Sequence, residues 1–178
     1  MDIDLGRPAT GDVVDLILED HRRFEDLLRR LRDSTDDRDA VRRELARLHV
    51  AHAVAEEQEV YPSLRHRDTI DDHEAEHGEE EHAEGHQALL AVLESEELEG
   101  EDFDDLVEEL AKVVNHHLTE EELTILNPAR EDVAEGVRVS LGAAFAARRN
   151  GLLDGGAGSL EDVRRIVAEA HEEGLLDD

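Results

Sequence analysis

The stretch HVAHAVAEEQEVYPSL, residues 49–64, places a histidine, His52, four positions before a glutamate, Glu56. A second stretch, VVNHHLTEEELTILNP at 113–128, repeats the spacing with His117 and Glu121 and also runs into a proline. On an α-helix, residues four apart lie about 6 Å apart along the axis and roughly 40° around it, so both members of each pair can reach one point beside the helix. Stepping back by threes and fours from His52 gives Leu48, Leu45 and Val41; from His117 it gives Val113, Leu110 and Leu106. Each pair therefore sits on the apolar seam of an amphipathic helix.

Further helices flank these two. Val14, Ile17, Leu18, His21, Phe24, Leu28 and Leu31 outline a first helix over roughly 11–33, and the cluster DSTDD at 33–37 supplies the turn into the second, which is expected to stop near Pro62. A third is clearest at Leu89, Leu90 and Leu93, with His86 and His82 on the same side; the polar run DDHEAEHGEEEH before it, which contains Gly78, leaves its start open but reads as helix, not linker. The fourth follows the acidic break at 99–102 and ends at Asn127 and Pro128. Four helices joined by short links predict an all-α, antiparallel up-and-down four-helix bundle over residues 1–128. Beyond it, Val133, Val137, Leu141, Ala144 and Phe145 outline a fifth helix, GGAGS at 155–159 a break, and Ser159 with Asp162 the cap of a last helix. This extension, 129–178, is expected to pack on the bundle or on a partner.

Composition narrows the chemistry. The 178 residues include no cysteine, which removes disulfides, thiolate zinc sites, iron–sulfur clusters and thiol nucleophiles together. Acidic residues number 49 against 19 basic ones, a formal charge of −30 that repels phosphate backbones and anionic lipid, so neither nucleic acid nor membrane is an expected partner. No apolar run is long enough to span a bilayer, and the N-terminal MDIDLGRPATGD lacks the basic and apolar segments of a signal peptide; a cytoplasmic location is expected. No phosphate-binding glycine loop or serine-nucleophile motif is present. Such charge with 2% aromatic residues raises the question of disorder, which the sustained helical period answers.

All four helices bring a histidine to an otherwise apolar seam: His21, His52, His82 with His86, and His117. One such histidine is more often incidental; four, with glutamates beside two of them, are not. Burying Glu56 and Glu121 unpaired costs several kcal/mol, and no basic residue shares their seams, so a bound cation is the natural compensation. Imidazole with carboxylate suits iron, manganese or zinc. Ferritin-like bundles place glutamate three residues before histidine, whereas here histidine comes first and the step is four.

At these residues the chain resembles the hemerythrin-like, or HHE cation-binding, domain of the kind found in actinobacteria. The resemblance covers about 11–128 and rests on LILEDHRRFEDLL, HVAHAVAEEQEVYPSL, HAEGHQALLAVL and VVNHHLTEEELTILNP, of which the second and fourth are the specific pieces. It implies metal ligation by His21, His52, Glu56, His117 and Glu121. On the third helix His73, His77, His82 and His86 compete, with His82 first and His86 second. His116 and Glu120 are alternates on a face shared with Glu109 and Lys112, His49 and Glu25 are candidate outer partners, and His66 and His171 read as surface residues. Asn127 departs from the family pattern, in which an aromatic runs straight into the proline. The family implies a non-heme centre of two iron ions, bridged by carboxylates with or without an oxo group. Its expected ligands are dioxygen, peroxide or nitric oxide, with any peroxide-decomposing activity secondary. Two other readings stay open: an intracellular iron or metal buffer, suggested by the surplus histidines and the acidic segment from Asp71 to Glu84, and an acidic helical interaction module without metal.

Overall fold

In the computed structural model, which describes residues 3–177, the described residues form helices and connecting turns with no strand. Helix α1 (Val13–Arg32) starts on Asp12, whose carboxylate accepts from the Val14 N–H at 3.0 Å. Helix α2 (Arg38–Ala55) starts on Asp37 in the same manner. A wide turn (Glu56–Val60) leads from it into α3 (Tyr61–His66). Helix α4 (Asp72–Glu94) begins with a reciprocal capping box between Asp71 and Glu74, which fixes the start that its polar sequence left open. Helix α5 (Glu101–Glu121) continues through a second wide turn (Glu122–Leu126) into α6 (Asn127–Asp132). Helices α7 (Glu135–Asp154) and α8 (Leu160–Glu173) complete the chain, the latter capped by Ser159 Oγ accepting from the Asp162 N–H at 3.2 Å.

Neither proline stops its helix where the sequence led us to expect. At each, one backbone hydrogen bond reaches five residues back, from Tyr61 N–H to Glu56 O and from Asn127 N–H to Glu122 O. A proline ring collides with the carbonyl four residues before it, and a turn widened to five residues per bond relieves that collision while the chain stays helical. Pro62 and Pro128 then occupy the first turn of α3 and α6, where a missing N–H costs nothing. The extra residue at Asn127 accounts for a register difference: the first wide turn begins on Glu56 itself, the second one residue after Glu121.

Helices α1, α2, α4 and α5 form the bundle, each packed on two neighbours in that cyclic order. Two apolar clusters fill it. One holds Phe24, Leu28, Leu45, Leu48, Leu89 and Leu110; the other holds Ile17, Tyr61, Leu64, Ile125 and Phe145. The second cluster precedes the histidine on α1 and α4 but follows it on α2 and α5, the reversal that an antiparallel bundle requires. The histidines and glutamates thus form one polar layer between two apolar ones. On α5 the buried face turns slightly from the expected one: Val107 and Val114 are buried, while Leu106 and Val113 are partly exposed.

The helices after Pro128 pack on the bundle, α7 against α1 and α2, and α8 against α4. Arg138 of α7 grips the α1 cap through Asp12 at 2.7 Å. At Gly142 the approach is so close that an added Cβ would sit 2.0 Å from the Gly11 carbonyl oxygen, a backbone atom that cannot swing away. Gly142→Ala is accordingly expected to cost about 1–3 kcal/mol, read as a lower thermal midpoint with helix content unchanged at low temperature.

Candidate metal centre

The polar layer gathers six of the seven side chains expected from the sequence. His21, His52, Glu56 and Glu121 form one buried group whose candidate ligand atoms all lie within 4.8 Å of one another, and Glu56, His82 and His117 form a second. Glu56, fully buried, belongs to both. His52 Nε2 and His82 Nε2 each lie 3.2 Å from the same oxygen, Glu56 Oε2. Glu121 also faces both groups, its Oε2 standing 3.1 Å from His21 Nε2 and 3.8 Å from His117 Nε2. Its other oxygen accepts from the buried Tyr61 hydroxyl at 2.9 Å. Tyr61 reaches that far because α4 carries Gly78 opposite it; a Cβ there would meet the hydroxyl at 2.9 Å.

Four carboxylates that sequence reading missed stand behind the histidines. Asp20 faces His52 Nδ1 at 3.2 Å, Glu57 faces His82 Nδ1 at 2.8 Å, Glu81 faces His117 Nδ1 at 3.0 Å and Glu122 faces His21 Nδ1 at 2.8 Å. Each is the chain neighbour of a candidate ligand on its own helix yet serves the histidine of the next helix, so the contacts close a ring from α1 to α2 to α4 to α5 and back. Helix geometry explains this. One residue is about 100° of rotation. A step back on an upward helix and a step forward on a downward one turn the side chain in the same sense around the bundle, and Asp20 and Glu81 precede their ligands whereas Glu57 and Glu122 follow theirs. With Nδ1–H donated outward, each imidazole turns Nε2 and its lone pair toward the centre, the usual arrangement behind a metal-bound histidine.

The donor set fits a cation. Nε2 of His52, His82 and His117 and both oxygens of Glu56 are buried without a hydrogen-bond partner. Unsatisfied buried groups of this kind are costly, and here they converge. Protons partly fill the role. Burial lowers the affinity of His52 and His82 for a proton, but the carboxylates outweigh it: Glu56 and Asp20 raise His52 to about 9, and Glu56 and Glu57 raise His82 to about 10. His21 is raised by Glu121 and Glu122 against its burial. His117 is pushed down, by burial and then by the charge of His82. Glu56, against its burial, is held well below the usual carboxylate range by His52 and His82.

Because the folded-state values of His52 and His82 lie above that of free histidine, their protons stabilise the metal-free fold fully below pH 6.5, and that contribution is lost as pH rises through about 9 to 10. A metal must displace the same protons. Binding is thus expected to tighten as pH rises toward this window, with protons released on metal binding at pH 7 and progressively fewer as pH passes through about 9 to 10. Calorimetry in buffers of different ionisation enthalpy measures that release. The carboxylates thus place this competition above the ordinary histidine range for His52 and His82.

His86 is the expected ligand left outside both groups. One turn beyond His82 on α4, its ring packs edge-on against His49 at 4.6 Å between centroids, with burial pushing it down to about 3. His49 lies beside His86 and Phe24, in a space kept open by Gly85. Glu25 is exposed, and Asp20 takes the outer role on that helix. His73, His77, His116, His66 and His171 are all exposed; Glu120 lies at the edge of the layer, outside both groups.

Neither a search of curated proteins nor one of solved structures returned a match. The family comparison did: the hemerythrin HHE cation binding domain matches residues 12–128, from the cap of α1 to Pro128. That span contains every side chain of the two groups and of the carboxylate ring, and with it the chain belongs to the hemerythrin HHE cation-binding family.

Proposed function

We propose that the chain is a non-heme di-iron protein that binds or senses dioxygen, peroxide or nitric oxide, with one iron held by His21, His52, Glu56 and Glu121 and the other by Glu56, His82 and His117. The observation that carries this reading is the shared glutamate. Both Glu56 oxygens lack a hydrogen bond, and Oε2 stands 3.2 Å from an imidazole nitrogen of its own helix and 3.2 Å from one of α4, an arrangement suited to a carboxylate shared by two cations. Iron bound there supplies redox chemistry and an exchangeable coordination position. The chain's own residues do the rest: the carboxylate ring orients the imidazoles, Tyr61 holds one oxygen of Glu121, and Phe24 and Phe145 set their rings edge-on to His52 and keep water away.

Metal analysis together with an optical spectrum of the air-exposed protein tests the reading. Two irons per chain with near-ultraviolet absorption bands are expected; a loaded protein holding colourless zinc alone would overturn the iron assignment. A second reading, metal buffering, draws on one observation. Glu81 Oε1 is buried without a hydrogen bond, 3.4 Å from the exposed His116 and 3.6 Å from the exposed His77. Equilibrium dialysis separates the two, since buffering requires a stoichiometry well above two.

A further inference from the structure

The chain after Pro128 supplies no candidate ligand and lies outside the family match, yet besides the apolar Phe145 α7 delivers a charged side chain to the polar layer. Arg149 is fully buried. Its guanidinium forks onto Asp20, with Nε 2.6 Å from Oδ2 and Nη2 2.7 Å from Oδ1. Its remaining donors go to the Leu5 and Gly6 carbonyls and to the Asn150 side chain. Asp20 Oδ2 is also the atom that faces His52 Nδ1. An unbroken path therefore runs from α7 through Asp20 and His52 to Glu56.

We propose that Arg149 is a positioning residue of the metal centre: it fixes the carboxylate that orients His52, so that the C-terminal extension completes a site whose ligands all come from the four-helix part. The inference rests on the metal-binding reading above. A two-point fork defines the plane of a carboxylate as well as its position, which a lysine ammonium cannot do. Arg23 adds a single bond to Asp20 Oδ1 at 3.1 Å from a partly exposed side chain, and does not touch the oxygen that faces His52. Among the described residues Glu57, Glu81 and Glu122 make no ion pair with an arginine, so one imidazole of the four is backed by a carboxylate whose charge is compensated from within the core. The extension thereby acts on one side of the centre.

The test uses the full chain, loaded with ferrous iron, in parent, Arg149→Met, Arg149→Lys, Asp20→Asn and Asp20→Asn/Arg149→Met forms. Iron release to a chelator is followed, and the midpoint potential is measured. Arg149→Met is expected to release iron about 10–100-fold faster, as loss of an outer partner does. The double variant should release it no faster than Asp20→Asn, because both changes break one path. Withdrawing a buried cation should also lower the midpoint potential of Arg149→Met, and Arg149→Lys, which keeps the charge without the fork, should return it toward the parent value while still releasing iron faster. Parent-like release and potential in Arg149→Met, or losses that add in the double variant, would overturn the proposal. Should Arg149→Met not fold, parent-like release from both Arg149→Lys and Asp20→Asn would do so. A parent chain that takes up no iron removes the metal reading and this inference with it, whereas a loaded parent beside equally retentive variants removes this inference alone.

Discussion

Glu56→Gln is expected to empty both metal positions at once, while substitutions at the other ligands weaken one position more than the other. Glu56 alone belongs to both groups; neither of its oxygens has a hydrogen-bond partner, and Oε2 lies 3.2 Å from imidazole nitrogens of two helices. An amide offers one weaker oxygen and a nitrogen that repels a cation, so affinity should fall more than 100-fold, beyond what loss of an outer partner costs. The fold should survive. Without the Glu56 charge, His52 and His82 each lose one of the two carboxylates that favour their protons and keep the other, Asp20 or Glu57, so neither imidazole is left without a partner. Metal content after dialysis, alongside circular dichroism of the same samples, checks both statements. A variant that retains one equivalent of metal would show that Glu56 does not bridge.

The carboxylate ring carries the second large effect, and it is position-specific. Asp20 and Glu122 stand behind His52 and His21, which belong to one group; Glu57 and Glu81 stand behind His82 and His117, which belong to the other. Asp20→Asn and Glu122→Gln should therefore each weaken the first metal about 10–100-fold and leave the second nearly unchanged, and Glu57→Gln and Glu81→Gln should do the reverse. A metal titration that resolves two binding steps reads this directly. If all four variants weakened both steps equally, the ring would be a general source of negative charge and not a set of individual supports.

The four helices of the bundle were legible because their seams are strict, and the glutamates of the two His–Glu pairs because buried carboxylates on such seams demand a cation. His82 was legible only as a preference. The stretch before it is nearly all polar, so period alone could not choose among His73, His77, His82 and His86; in the fold α4 starts at Asp72, Tyr61 packs against Gly78, and His82 is the one that meets Glu56. The helix ends were misread at Pro62 because proline normally breaks the hydrogen-bond ladder, and the widened turn that rescues it leaves no mark in the hydrophobic period. Asp20, Glu57, Glu81 and Glu122 were invisible for a different reason. In a chain with 49 acidic residues, a carboxylate beside a ligand carries no signal, although the alternation before, after, before, after follows from the antiparallel order once that order is known. Arg149 could not have been found at all, since its pairing with Asp20 spans 129 positions of sequence.

The most direct test is anomalous diffraction at the iron absorption edge from crystals of the iron-loaded chain. Two peaks are expected, one on either side of Glu56, the first among His21, His52 and Glu121 and the second between His82 and His117. A single peak, or density confined to exposed histidines such as His77 and His116 with nothing beside Glu56, would contradict this.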